Sequence, residues 1–240
     1  MLREFEIALG FLTIFKSRLE PVPDMAEVGK SAWAFPLAGG VIGLLLVIAH
    51  LIIADHFPAV ISAILVVGLW VVLTGGLHLD GWTDCWDALP ASVPSERRFE
   101  ILKDSRLGAF GALALILLLA LKVAVVAQAD LSLLMLFLAP VIGRGMMVVV
   151  GYGARHRGQG MAALFLTGLD NRSVRWACIL GFAPALLAGW KGFLAVAGAY
   201  LAALWFRRFA EKRLESVNGD VLGSFCELSE LVVLLAACLK

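Results

Sequence analysis

The sequence predicts an all-α fold, a polytopic integral membrane bundle of about seven transmembrane helices with an N-terminal amphipathic helix. Three observations predict this class: 61% of the 240 residues are hydrophobic, only 16% are charged, and the apolar residues form long blocks. An ordinary soluble domain is about 45–50% apolar and about 25% charged. A helix that crosses a bilayer needs roughly 20 apolar residues, because hydrocarbon cannot satisfy exposed backbone groups.

The N-terminal stretch, residues 1–19, is the first element. Its charged side chains surround a short apolar run, and no basic segment leads into a cleavable small-residue site. This pattern argues against a signal peptide. We expect an amphipathic helix that lies at the membrane surface.

Seven apolar blocks follow, and each is expected to cross the membrane. They run approximately over residues 32–54, 58–77, 107–127, 131–152, 174–189, 192–206 and 221–239. The short fifth and sixth blocks meet at Ala188-Gly-Trp-Lys-Gly192, which is typical of a tight turn, so we predict a hairpin there. No long polar linker divides the chain, and residues 1–240 are expected to form a single domain.

The basic residues are segregated between the blocks. Nearly all of them lie in the N-terminal stretch and in the connections after the second, fourth and sixth blocks. The positive-inside rule places these four segments in the cytoplasm. The net charge of +1 argues neither for nor against nucleic acid, and no nucleic-acid partner is expected. The four cysteines show no CxxC spacing, so nothing indicates a disulfide-stapled secreted protein.

Some small and charged residues fall inside the apolar blocks. Gly39 and Gly43 form a GxxxG pair, which indicates close helix packing, and the glycine-rich faces also allow a homo-oligomer. Lys122 lies near the predicted far end of its block and is expected to reach the interface. Arg144 lies deeper in the fourth block. Because an intramembrane arginine is costly and usually paired, Arg144 is a functional candidate.

Three aspartates follow the second block. Asp80, Asp84 and Asp87 are spaced at i, i+4 and i+7, which places them on one face of a helix. No Lys or Arg lies between His78 and Arg97 to neutralise them. Near low-dielectric surroundings their repulsion grows, and a divalent cation is the natural remedy. Oxygen-only ligands favour Mg²⁺ or Mn²⁺ over zinc. His78 is open to three interpretations: a ligand, a proton shuttle or a structural hydrogen bonder.

Two other segments have the character of phosphate sites. Lys103, Ser105 and Arg106 precede a glycine-rich helix start, which favours an anion, although a basic anchor at the membrane interface explains them equally well. Arg155 and Arg157 lie among glycines, where forked donors and an open backbone suit phosphate oxygens.

The last apolar block begins with acidic residues. Asp220, Glu227 and Glu230 fall close to one helical stripe, and acids in an apolar helix are expensive unless they face a polar site. The positive-inside topology brings this helix start to the same side of the membrane as Asp80. We therefore expect the two acidic segments to meet.

These motifs carry a resemblance to a known family. The run His78-Leu-Asp-Gly-Trp-Thr-Asp-Cys-Trp-Asp87 resembles the HLDGxxDxxD signature of the cobalamin (5′-phosphate) synthase family. Residues 103–111 and 218–230 are similar to its KDSRxGxxG and GDxxGxxxE segments, in the same order along the chain. Trp82 and Trp86 stand where the family more often has small or aliphatic residues, a departure expected to reshape the pocket wall.

The resemblance implies a function and a set of roles. It implies a Mg²⁺-dependent transferase of the bacterial inner membrane that joins adenosylcobinamide-GDP to α-ribazole or its 5′-phosphate and releases GMP on the cytoplasmic side. On this reading Asp80, Asp84 and Asp87 hold Mg²⁺, while Asp220 and Glu227 complete a second metal site. The last aspartate of the cluster or Glu227 is the general base, and His78 orients an aspartate. The residues assigned to substrate are Lys103, Ser105, Arg106, Arg144, Arg155, Arg157 and Asn218.

Two other functions remain as alternatives. A CDP-alcohol phosphotransferase of phospholipid synthesis also uses spaced aspartates, but its pattern requires Ala-Arg where this chain has Asp84 and Cys85. An ion-coupled transporter would use intramembrane acids, yet the acids here crowd at one predicted face and no inverted repeat is visible.

Overall fold

The computed structural model describes residues 1–158 and 160–240, and these residues form α-helices with no β-strand. The predicted all-α class is confirmed. The helices of the described residues are α1 Leu2–Leu12, α2 Met25–Lys30, α3 Phe35–Ile53, α4 Ala59–Thr74, α5 Leu77–Ala88, α6 Ser95–Leu102, α7 Ala109–Val126, α8 Leu133–Gly151, α9 Met161–Gly168, α10 Asn171–Phe182, α11 Gly189–Leu214 and α12 Gly219–Ala237. Short 3₁₀ segments precede α3 and join α10 to α11.

The chain is a helical membrane protein, with fewer long apolar helices than the seven blocks predict. Among the described residues, four segments are long and apolar enough to span a bilayer: Ala32–Ile53, Ala109–Val126, Leu133–Gly151 and Asn171–Leu214. A fifth arises if α4 and α5, bent by 93°, form one span. The difference has physical causes: α4 alone has only 16 residues, and α12 carries three acids.

The predicted hairpin lies inside Asn171–Leu214. Gly189 has a φ of +60°, a conformation that glycine adopts without a steric cost. Phe182 of α10 and Val196 of α11 line one small cavity, although 14 residues of straight helix would separate them by about 21 Å. The chain therefore reverses between α10 and α11, as the turn-like sequence predicts.

Helix α8 forms the centre of the bundle, and almost every residue from Met135 to Gly151 is buried. Helices α3 and α12 pack against it. The backbone of α3 comes close because Gly39 and Gly43 lack side chains: a Cβ at either position would fall on the carbonyl of Pro140 or Phe137. The GxxxG pair therefore allows close packing between α3 and α8 of the same chain.

The N-terminal helix is amphipathic, as predicted, but shorter than residues 1–19. In α1 the side chains of Ile7, Ala8 and Leu12 are buried, whereas Leu2 and Arg3 are exposed. After α1 the chain folds back, because the carboxylate of Glu6 accepts a hydrogen bond from the Arg18 amide at 2.8 Å. Helices α1 and α2 thus cover the end of the bundle at which α3 begins.

The close approach of α3 to α8 makes a test of the fold. Replacing Gly39 by Ala should lower the free energy of unfolding by about 1–3 kcal/mol, because the methyl group would overpack the interface with Pro140. Gly68→Ala in α4 is the matched control, since a Cβ there meets open space. Thermal unfolding of both variants in detergent measures the difference; equal midpoints would contradict the packing.

Candidate active site

Helix α5 owes its position to two consecutive glycines. Gly75 and Gly76 have φ values of +61° and +68°, a left-handed pair that ends α4 and starts α5 at a 93° bend. Because of this bend, α5 turns away from the line of α4, and its acidic face lies outside the four segments that are long and apolar enough to span a bilayer by themselves. Asp80 is exposed and Asp84 is half-buried on this face.

Asp87 lies on the same helix but has a structural contact. Its two carboxylate oxygens accept hydrogen bonds from the amides of Gly108 and Gly111, each at 2.8 Å. Gly108 is the N-cap of α7 and Gly111 lies in its first turn, where a carboxylate satisfies free N–H groups and complements the helix dipole. A side chain at either glycine would collide with the carboxylate. Asp87 therefore secures α7 to α5, and the Mg²⁺ contact predicted for it stays a prediction.

The start of α12 packs directly against α5. Gly81 contacts the backbone of Asp220, Gly223 contacts His78, and the Ser224 hydroxyl donates to the Gly81 carbonyl at 3.2 Å. Close approach at these glycines brings two acidic segments together that are 140 residues apart in the sequence. The predicted meeting of the Asp80 and Asp220 segments is present in the structure.

Asn218 sets the orientation of Asp220. Its side-chain oxygen accepts from the Val221 amide at 3.1 Å and caps α12, while its nitrogen donates to the Asp220 carboxylate at 2.7 Å. Asn218 therefore positions Asp220 in the acidic cluster, and the substrate contact predicted for it stays a prediction.

Asp80, Asp84 and Asp220 form the open acidic cluster. Burial raises the pKa of Asp84 to about 7, and the neighbouring carboxylates of Asp80, Asp220 and Asp87 add to this effect. Among residues 1–158 and 160–240, no Lys or Arg forms a salt bridge with any of the three. Nor do three or more His, Cys, Asp or Glu side chains of this described part already converge as metal ligands. The carboxylates repel one another and have no basic partner.

A polar cavity of about 320 Å³ opens beside this cluster. Asp80, Thr83 and Asp84 line one side, and the segment Leu102–Leu107 lines the other. Lys103 and Ser105 thus face the acidic cluster across the cavity. Arg106 lines it as well, but its guanidinium binds the Asp104 carboxylate at 2.6–3.1 Å and lowers the pKa of Asp104 to about 2.

The arginine–glycine loop lies at the same end of the bundle. The Arg155 carbonyl accepts from the Val217 amide at 2.6 Å, close to the start of α12. The Arg157 guanidinium lies over the ring of Phe99 in α6, 3.8 Å from its centroid. Both arginines are exposed, and neither lines the polar cavity. They border the site without entering it.

Glu227 and Arg144 belong to a buried ion network instead. Lys122 contacts Glu227 at 2.6 Å and Glu230 at 2.5 Å, and Arg144 pairs with Glu230. The exposed fraction of these four side chains is at most 5%. Glu227 is therefore bound to a lysine inside the bundle, and the metal and general-base roles predicted for it stay predictions. Arg144 is fully buried and paired with Glu230, and the substrate contact predicted for it stays a prediction.

Lys122 is the member of this network that sequence reasoning missed. The expectation that it reaches the interface is wrong, because its side chain is buried and its ammonium also lies 4.3 Å from the centre of the Trp70 ring. One signal was available: Lys122 and Arg144 lie well inside apolar blocks, and the last block holds two acids, Glu227 and Glu230, of opposite charge. Their pairing was not readable, because the partners are 86 to 108 residues apart.

The two tryptophans that depart from the family pattern pack into the bundle. Trp82 and Trp86 meet edge to face at 5.5 Å, and Trp82 stacks on Phe206 of α11 at 6.3 Å. Neither lines the polar cavity. The departure fills space between α5 and α11, so the expected change to the pocket wall is absent from this cavity.

His78 is buried behind the open cluster. Its exposed fraction is 3%, and neither ring nitrogen has a hydrogen-bond partner among the residues that the structure describes. It does not bond to an aspartate there, so the orienting role expected for it is not visible.

Comparison with known proteins covers nearly the whole chain. A family profile described as cobalamin-5-phosphate synthase matches residues 4–238. Curated relatives named adenosylcobinamide-GDP ribazoletransferase include those of Ectopseudomonas mendocina, 36% identical over 98% of both chains, and Desulfitobacterium hafniense, 33% identical over 98% of this chain and 96% of its own. The Brevibacillus brevis relative of that name is 39% identical over 90% of this chain and 91% of its own. No solved structure matches.

Substitutions that change the net charge of the buried ion network test its contribution to stability. Lys122→Met leaves Glu227 and Glu230 with one guanidinium, which should cost about 3–5 kcal/mol of unfolding free energy. Adding Glu227→Gln restores a neutral set and should recover most of that loss. The exposed Arg97–Glu100 pair is the control: Arg97→Met should change stability by less than about 1 kcal/mol. Unfolding in detergent measures all three, and a double variant no more stable than Lys122→Met would contradict the network.

Proposed function

Because the chain belongs to the cobalamin-5-phosphate synthase family, we propose that it is an adenosylcobinamide-GDP ribazoletransferase, an enzyme of late cobalamin biosynthesis. It joins adenosylcobinamide-GDP to α-ribazole or to α-ribazole 5′-phosphate and releases GMP. Relatives of that name align with this chain over nearly its full length at 33–39% identity.

One geometric observation supports this reaction above the alternatives. Asp80 and Asp84 line a cavity whose other wall carries Lys103 and Ser105, and the start of α12 packs Asp220 against α5 next to them. Negative groups that bind a cation thus face a positive group that binds phosphate, which is the arrangement that diphosphate chemistry needs. The acids do not line a path through the bundle, as a transporter would require.

The acidic cluster fits Mg²⁺. Its donors are carboxylate oxygens, burial and the neighbouring carboxylates raise the pKa of Asp84, and no Lys or Arg of the described residues forms a salt bridge with the cluster. Asp80, Asp84 and Asp220 would hold the ion. When bound, Mg²⁺ neutralises the diphosphate and stabilises the departing phosphate oxygen.

The chain's own groups orient the reaction. Lys103 and Ser105 bind phosphate oxygens of the GDP moiety, and Arg106, Arg155 and Arg157 at the rim attract its charge. The acceptor hydroxyl attacks the phosphorus distal to guanosine: a new O–P bond forms, and the P–O bond to GMP breaks. Its proton passes to a carboxylate of the open cluster, because the oxygens of Asp87 and Glu227 are already engaged.

We assign the enzyme to the bacterial inner membrane, with the site facing the cytoplasm. The segregation of Lys and Arg supports this orientation, since the connections that border the site are the basic ones. The site residues lie near helix ends at one face of the bundle, where water-soluble nucleotides reach them.

Transfer by the purified protein is the direct test. With adenosylcobinamide-GDP, α-ribazole and Mg²⁺, we expect a cobalamin product and GMP in equal amounts, detected by chromatography and mass spectrometry. Lys103→Ala should lower kcat/KM by about 10–100-fold, since a charged hydrogen bond to phosphate is worth about 1.5–3 kcal/mol. A phospholipid made from CDP-diacylglycerol, with no cobalamin product, would overturn the assignment.

The metal assignment is tested at Asp84. Asp84→Asn should weaken Mn²⁺ binding, measured by calorimetry or electron paramagnetic resonance, by at least about tenfold and should lower transfer in parallel. Asp55→Asn, in the exposed turn after α3, removes a carboxylate far from the cluster in sequence and is the matched control. Unchanged Mn²⁺ affinity in Asp84→Asn would remove Asp84 from the metal site.

The same residue predicts a pH dependence. The pKa of Asp84 is raised from 3.8 to about 7. Without metal, the contribution of this carboxyl group to the free energy of unfolding is therefore fully present below about pH 4 and is lost as the pH rises through 7. Asp84→Asn should flatten this loss. Mn²⁺ binding should strengthen over the same rise, because the ion requires the carboxylate. Unfolding midpoints between pH 4 and pH 8, with and without Mn²⁺, measure both trends; parallel curves for the two proteins would contradict them.

A further inference from the structure

Asp80 borders a second cavity of opposite character. This cavity, of about 240 Å³, has Asp80, Asp220 and His78 in its walls, whereas most of its other lining residues are apolar. The polar cavity with Lys103 also includes Asp80. Asp80 therefore lies where the polar cavity and the apolar cavity meet.

The apolar walls come from elements far apart in the chain and are firmly packed. Phe11 of α1, Met147 of α8 and Phe165 of α9 all face the cavity. The ring of Phe165 stacks on Phe35 at 5.7 Å, and Phe35 stacks on Phe11 at 6.0 Å. Aromatic rings and polarizable methionine sulfurs form a surface that suits a flat aromatic ligand.

His78 supplies a polar anchor in this wall. Only 3% of its surface is exposed, and both ring nitrogens lack a hydrogen-bond partner within residues 1–158 and 160–240. A buried polar atom without a hydrogen bond costs about 1–3 kcal/mol, so such a group in a cavity wall indicates a ligand that supplies the missing bond.

We propose that this cavity binds the base of the acceptor nucleoside: an uncharged, flat, fused aromatic ring carrying a ribose. The inference rests on the proposed function. The base packs on the aromatic and methionine wall, and a polar atom of the nucleoside hydrogen-bonds His78. The ribose then extends toward Asp80, where its hydroxyl meets the diphosphate that enters from the polar cavity.

Size and polarity decide which substrate takes the cavity. Sites for drug-sized ligands measure about 300–1,000 Å³, so 240 Å³ holds a bicyclic base but not a corrinoid ring. The GDP moiety carries its charge to the side of Lys103 instead. An acyl chain of a lipid would fit the apolar walls but would leave His78 and Asp220 without partners.

A larger side chain introduced on α9 tests whether the base occupies this cavity. Ala162 lines it, and Ala162→Phe should raise KM for α-ribazole at least about tenfold while KM for adenosylcobinamide-GDP stays within about twofold. Leu164→Phe, on the exposed face of the same helix, is the matched control and should change neither constant. Lys103→Ala should show the reverse pattern, with the larger rise for adenosylcobinamide-GDP.

A binding measurement separates this inference from the proposed function. Calorimetric titration of the purified protein with α-ribazole alone should show binding that Ala162→Phe weakens and Leu164→Phe preserves. If the wild type binds α-ribazole in this way but transfers nothing, the proposed function fails and the cavity assignment stands. If transfer proceeds while Ala162→Phe, with an unchanged unfolding midpoint, leaves KM for α-ribazole unaltered, the cavity assignment is overturned. A lipid that co-purifies with the wild type but not with Ala162→Phe, together with an unaltered KM for α-ribazole, would also overturn the cavity assignment, because it would identify a lipid as the occupant.

Discussion

The buried ion network is the interaction on which the rest of the site depends. Lys122, Arg144, Glu227 and Glu230 join α7, α8 and α12 within an apolar bundle. Each charge alone would be prohibitively expensive there, and only the complete, neutral set is tolerated. This requirement limits how α12 can slide or rotate against its neighbours. Since Asp220 lies two turns before Glu227, the network also sets the position of Asp220 beside Asp80.

The carboxylates of this protein thus lie in different electrostatic environments. Deep in the bundle, Glu227 and Glu230 are neutralised by permanent basic partners, and the result is rigidity. At the end of the bundle, Asp80, Asp84 and Asp220 form no salt bridge with a Lys or Arg of the described residues, and burial together with the neighbouring carboxylates raises the pKa of Asp84 to about 7. An uncompensated cluster of this kind costs folding stability but leaves the carboxylates free for a cation. Asp87 adds a third use of an acid, because it secures the start of α7.

The position of Asp80 between two cavities fits a reaction with two unlike substrates. A nucleoside diphosphate needs cationic and hydrogen-bonding groups, whereas a fused aromatic base needs apolar contact and few polar anchors. A single mixed pocket would leave charged phosphate against apolar walls. Separate spaces that meet at one carboxylate bring the reacting atoms together and keep each substrate in suitable surroundings.

The sequence by itself determined the class of the protein and the acidic face of α5. Hydropathy required helices in a membrane, and the spacing of Asp80 and Asp84 followed from the helical period. The HLDGxxDxxD run indicated the family. Tertiary structure alone decided which charges meet: that Asp87 binds the amides of α7, that Glu227 belongs to Lys122, and that Arg144 is a structural partner. Helical periodicity tells which residues share a face, but the groups opposite that face come from segments 20 to 140 residues away, and only packing brings them together.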